Sequence, residues 1–152
     1  MRFRQRLDKV LGLALVFIMT IMVINVIWQV FSRYVLGTPS SFTDELARFL
    51  MIWVGVLGAA YVAGRNGHVS IDVLARRGSE KNQKRLKQFV RIAIISFCLF
   101  AMVVGGLRLV YITYVLNQYS PALGLPLAMV YLVIPISGML IIYYKISDML
   151  TN

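Results

Sequence analysis

The densest group of side chains able to do chemistry is Asp44, Glu45 and Arg48, inside the run Ser41-Phe-Thr-Asp-Glu-Leu-Ala-Arg48. Arg48 stands at i+4 from Asp44 and i+3 from Glu45, so the three can share one helix face. The two acids are adjacent in sequence and diverge by about 100° around a helix, so they cannot act as a facing acid–base pair. Ser41-x-x-Asp44 fits a helix-capping pattern, with both acids in the first turn, where the helix dipole favours anions. The group therefore reads as a cap with a local ion pair, or as a docking contact. The only histidine is His68 and the only cysteine is Cys98. A Ser/His/Asp set, a redox pair, an intrachain disulfide and a His/Cys metal cluster cannot be assembled from them. No glycine-rich phosphate loop occurs, so neither enzyme chemistry nor any cofactor is expected.

These residues sit among segments that must be positioned by lipid. Four apolar stretches run over Val10–Phe31, Phe42–Ala63, Phe89–Leu116 and Leu127–Ile146. At 1.5 Å per residue, about 20 apolar residues cross a hydrocarbon core. The expected fold is all-α and integral to the membrane. It is one four-helix domain over residues 1–152, with little chain left for a soluble domain. The charged share of 14% lies well under the roughly 25% of soluble domains. The first stretch follows Arg2, Arg4, Arg6 and Lys9, as a signal peptide would. It is longer than a signal core and lacks a small-residue cleavage site, so it reads as a retained span.

The net charge of +10 is unevenly placed. One basic group precedes the first span. Arg65, Arg76, Arg77, Lys81, Lys84, Arg85, Lys87 and Arg91 lie between the second and third, while Asn117 to Pro126 carries no charge. Short basic connections stay in the cytoplasm. Both groups fall on that side if the chain crosses four times with both termini inside. Ile71, Leu74 and Ala75, then Leu86, Phe89 and Val90, have helical spacing among the basic residues of the 64–88 connection. They predict a basic amphipathic helix along anionic headgroups, broken near Gly78-Ser79. Nucleic acid is not an expected partner, since no aromatic residues interleave the cations as stacking platforms.

Within the spans, Asn25 and Gln29 lie one turn apart and read as interhelical hydrogen-bonding groups rather than a substrate contact. Gly55, Gly58 and Ala59 on the second span and Gly105 and Gly106 on the third let another helix approach closely. Arg108 sits near the far end of the third span, where a long side chain can snorkel, with Tyr111, Tyr114 and Tyr119 as interface anchors. With Asp44, Glu45 and Arg48 it makes up an expected outer charge group. Pro135 and Gly138 predict a kink in the fourth span, and Tyr143, Tyr144 and Lys145 its inner boundary.

In this order, the segments resemble the small membrane subunit of tripartite ATP-independent periplasmic (TRAP) transporters, the DctQ-like family. The resemblance rests on Phe31-Ser-Arg33-Tyr34, Ser41 to Arg48, Trp53-Val-Gly55-Val-Leu-Gly58-Ala59-Ala60, Arg65-Asn-Gly-His68-Val-Ser-Ile-Asp72, Ser120-Pro-Ala-Leu-Gly-Leu-Pro126 and Tyr131-Leu-Val-Ile-Pro135. It implies an accessory subunit of a bacterial inner-membrane system. A periplasmic substrate-binding protein delivers an organic acid, such as a C4-dicarboxylate or a sialic acid. A large multi-span membrane subunit moves it, coupled to sodium. This chain then supports the large subunit and binds no substrate. An autonomous four-span transporter or channel, the membrane anchor of an enzyme complex and a lipid-organising protein are the competing readings.

Overall fold

A computed structural model describes residues 2–37, 40–65 and 80–151. His68, Arg76, Arg77 and the first half of the expected amphipathic helix lie outside them. The described residues are all-helical. Helix α1 is Arg2–Val35, α2 Ser41–Gly64 and α3 Glu80–Phe97; a π-helical segment, Cys98–Gly105, then joins α3 to α4, Gly106–Val115. A turn at Leu132 separates α5, Leu127–Tyr131, from α6, Val133–Thr151. The third span is thus α3, the π segment and α4 in one run, and the fourth is α5 and α6.

Four helical runs are long and apolar enough to cross a membrane: Arg4–Val35, Ser41–Gly64, Gln88–Val115 and Leu127–Met149. Each contains or nearly coincides with an expected span. The basic residues Lys81, Lys84, Arg85 and Lys87 belong to α3 itself, which enters the third span without interruption. Arg85 and Phe89 are exposed.

The spans form an open row rather than a closed square. The backbone of α1 runs beside α2, α2 beside the fourth span, and the fourth span beside the third. Burial follows this order. In the fourth span 44% of the apolar window is buried, against 11% in the first and third. Leu11, Leu57, Val133 and Tyr144 form one buried cluster, and Ala60, Ala63, Cys98 and Ile141 a second.

The break in the fourth span has a backbone cause. Pro135 has no N–H to give to the carbonyl four residues earlier, at Tyr131, and the helix interrupts at Leu132, one residue on. The next bond, from the Ile136 amide to the Leu132 carbonyl, is stretched to 3.4 Å. The fourth span meets the third here through glycines. A Cβ on Gly106 would lie 3.0 Å from Pro135 Cδ, and one on Gly138 only 2.8 Å from Met102 Cβ. Gly138→Val should therefore destabilise the isolated chain by about 1–3 kcal/mol through overpacking. Gly55→Val should not, because nothing lies within 4 Å of a Cβ there. Thermal unfolding of both variants in detergent checks the contrast.

Candidate functional site

Polar side chains concentrate at the two ends of the row. At the end holding the α1–α2 turn and the 116–126 loop, α2 begins one residue away from the expected cap. Ser40 is the N-cap residue, its side chain makes no capping bond, and Ser41 is already helical. Thr43 Oγ1 donates to the Ser40 carbonyl at 2.9 Å instead. The Asp44 carboxylate is taken by other donors, Arg48 at 2.6 Å and Gln29 Nε2 at 3.2 Å. One turn of α1 before Gln29, Asn25 Nδ2 donates to the buried carbonyl of Thr43 at 2.8 Å. Asn25 and Gln29 thus join α1 to the start of α2.

Glu45 points elsewhere. Its Oε2 accepts the backbone N–H groups of Ala122 at 2.8 Å and Leu123 at 3.1 Å, and the buried Ser120 hydroxyl also reaches it. Ser120 Oγ accepts from Leu123 N at 3.1 Å as well. Successive amides converging on one carboxylate make a small anion-binding nest. Gly124 supports it with φ +65°, a backbone state that side chains disfavour. One α2 acid therefore ties α1 to α2, and the next clamps the loop to α2. Arg108 joins neither group: it is exposed on α4 and has no hydrogen bond or ion pair among the described residues.

The opposite end carries a network that sequence reasoning missed. Arg4 Nη1 pairs with Asp148 at 2.7 Å, and Arg4 Nη2 donates to the Gly64 carbonyl at 2.6 Å. The Tyr144 hydroxyl donates to Asp8 at 2.5 Å. Lys145, 2% exposed, donates to the Ala63 carbonyl at 3.3 Å. Tyr144 is wholly buried, under the Arg4 guanidinium and against Gly64, where a Cβ would lie 2.7 Å from the ring. Tyr144 and Lys145, expected at the inner boundary of the fourth span, stand near the end of α6 and point into the row. The reason is the end of α2. Its last carbonyls have no intrahelical donors, and Lys145 and Arg4 supply cationic ones, which the negative end of the helix dipole favours. Arg4 and Asp8, like Tyr144 and Asp148, stand four apart on their helices.

The small residues separate into two classes. Gly64, Gly106 and Gly138 are used within the chain. Gly55 and Gly58 face open space, with Ala59, Met51 and Val62 exposed on the same side of α2; Gly105 meets only the Phe100 carbonyl, at 3.5 Å. The grooves between helices are open and mostly apolar. One of about 340 Å³ lies among Phe17, Leu46, Trp53 and Met129 with almost no polar lining. Among the described residues no three His, Cys, Asp or Glu side chains converge as a metal site would require.

Similarity to known proteins bears on what this arrangement serves. Residues 22–152 match the family described as tripartite ATP-independent periplasmic transporters, DctQ component. Over 146 residues the chain is 29% identical to a protein of Haemophilus influenzae named as a TRAP transporter small permease protein, covering 96% of this chain and 89% of that one. Over 80 residues it is 34% identical to the sialic acid TRAP transporter permease protein SiaT of another Haemophilus influenzae strain, covering 53% of this chain and 13% of that one. It is 30% identical over 109 residues to the C4-dicarboxylate TRAP transporter small permease protein DctQ of Rhodobacter capsulatus, covering 70% and 47% respectively.

Removal of either partner in the basic-end network leaves a charge without its counterpart. Asp148→Ala should cost about 3 kcal/mol, since the pair is largely withdrawn from solvent, whereas Asp44→Ala, from an exposed pair, should cost under about 1 kcal/mol. Unfolding of both variants in the same detergent compares them. Glu45→Gln should raise amide exchange in residues 120–125 with little change in overall unfolding.

Proposed function

This chain belongs to the DctQ component family of tripartite ATP-independent periplasmic transporters, and we propose that it is the supporting membrane partner of a larger transport subunit. Proteins of this family are transporter permease subunits, not enzymes. The finer reading extends that identity. The chain sits in a bacterial inner membrane with both termini inside. It braces the large subunit during sodium-coupled uptake of an organic acid that a periplasmic binding protein delivers. A sialic acid or a C4-dicarboxylate is the kind of solute the relatives' names offer.

The observation that carries the reading is the outward face of α2. Membrane helices associate by close backbone approach at small residues. The internal neighbours of α2, α1 and the fourth span, leave Gly55, Gly58 and Ala59 uncovered. A second helix from outside the chain fits that surface. The distribution of polar groups agrees. Charges that mark solute or ion paths normally stand within the membrane depth, whereas here Asp44, Glu45, Arg48, Arg4, Asp8 and Asp148 lie at helix ends in contacts within the chain, and Arg108, inside the third span, is exposed on the outside of the row rather than set between helices. The SiaT match adds an independent argument. Its 80 residues make up 13% of that protein, so a segment resembling this chain is covalently part of a permease several times longer.

The basic group Arg65, Arg76, Arg77, Lys81, Lys84, Arg85 and Lys87, its last four members in the first turns of α3, is proposed to hold this end of the chain at the anionic headgroups of the inner leaflet. A large multi-span subunit should co-purify with the wild-type chain. Gly55→Leu with Gly58→Leu should reduce that recovery about tenfold and abolish uptake, while the isolated chain unfolds at an unchanged temperature. Uptake by liposomes holding this chain alone would contradict the supporting role. Labelling of single cysteines at 76–87 from the periplasmic side would contradict the orientation.

A further inference from the structure

Arg108 is a charge inside a span that has no partner among the described residues. It stands on α4 within the third span, seven residues before Val115, which places its Cα about 10 Å short of the helix end. Among the described residues the acids at that end of the row are Asp44 and Glu45, engaged by Arg48, Gln29 and the 120–123 loop. Arg33, the other cation there without a partner shown, occupies the last turn of α1, where the helix dipole favours it. Arg108 has no such setting. It is exposed in mid-helix, one turn beyond Gly105, which is also exposed and meets only the Phe100 carbonyl.

We propose that this face of α4 docks on a membrane helix of the large transport subunit that carries a carboxylate level with Arg108. The inference rests on the subunit reading above and names the chemistry of the contact. Ionisable residues inside spans normally face protein and pair with one another. An arginine also suits such a contact, because its planar fork binds a carboxylate through two parallel hydrogen bonds. A lipid phosphate could satisfy the charge only if the side chain climbed past Tyr111, which is exposed one turn nearer the helix end. That alternative gives no role to the open surface at Gly105, where an approaching helix backbone would fit.

The two occupants predict opposite results for an apolar replacement. Arg108 has no partner among the described residues, so Arg108→Leu should leave the thermal unfolding of the isolated subunit unchanged. In the co-expressed complex in detergent, Arg108→Leu should weaken retention of the large subunit about tenfold or more, since a carboxylate is left buried and unpaired. Arg108→Glu should weaken it further, and Arg108→Lys should retain an intermediate amount. A reciprocal acid-to-arginine exchange in the large subunit should restore retention of Arg108→Glu. If Arg108→Leu retains the large subunit as well as wild type or better, the arginine serves lipid and the inference is wrong. If wild type itself retains no large subunit, the subunit reading fails, and this contact with it.

Discussion

The fold depends on how α2 ends. Its last carbonyls have no intrahelical donors, and Ala63 and Gly64 are buried against other helices, where a carbonyl left without a donor costs about 1–3 kcal/mol. Here the donors come from two different helices. Arg4 reaches the Gly64 carbonyl from α1, and Lys145 reaches that of Ala63 from α6. Both approaches require Tyr144 to lie flat where any side chain at position 64 would collide with it. One glycine, one tyrosine and two cations therefore set the heights of three spans against each other. Asp8 and Asp148 complete the set by accepting from Tyr144 and Arg4, so the cations gathered at this end are not left to repel one another.

The other end is joined by different means. Asn25 binds a backbone carbonyl at the start of α2, and Glu45 binds backbone amides in the loop that leads to the fourth span. Between the two ends the row is held by small-residue contacts and apolar packing, with Ser137 the one buried side-chain polar group left without a bond among the described residues. Most of the polar groups at the two ends are thus occupied in holding the chain together, while Arg108 on the third span is not. The chain's flanks, α1 on one side and the third span on the other, remain apolar and open.

The spans were legible because length and apolarity leave one solution in a bilayer, and the ends agreed to within a few residues except on α1, which extends further at both ends. The Asp44–Arg48 contact was legible from its spacing, and the break near Pro135 from its missing N–H. The network around Tyr144 was not read. Arg4 and Lys145 carry the residue types that orientation rules count as surface signals, and nothing in their positions says that they turn inward. Glycine type alone also failed to sort Gly106, which packs against Pro135, from Gly55, which faces outward. That distinction depends on which helix lies next to which, and no local pattern records it. The π segment escaped for a related reason. Cys98–Gly105 is apolar throughout, so it carries no alternation of polar and apolar residues from which a change of helical period could be read.

The wide-bored stretch has a consequence for how chains of this kind can vary in length. A helix with i→i+5 bonding holds one residue more per closed ring than its α-helical flanks. Losing a single residue there would tighten the bore toward ordinary α geometry, while the segments on either side kept their azimuths. The same loss in α3 or α4 would swing everything beyond it around the axis by about 100°. Residues 98–105 are thus the place in the third span where the loss of one residue is absorbed locally, without turning the distal surface away from its neighbour.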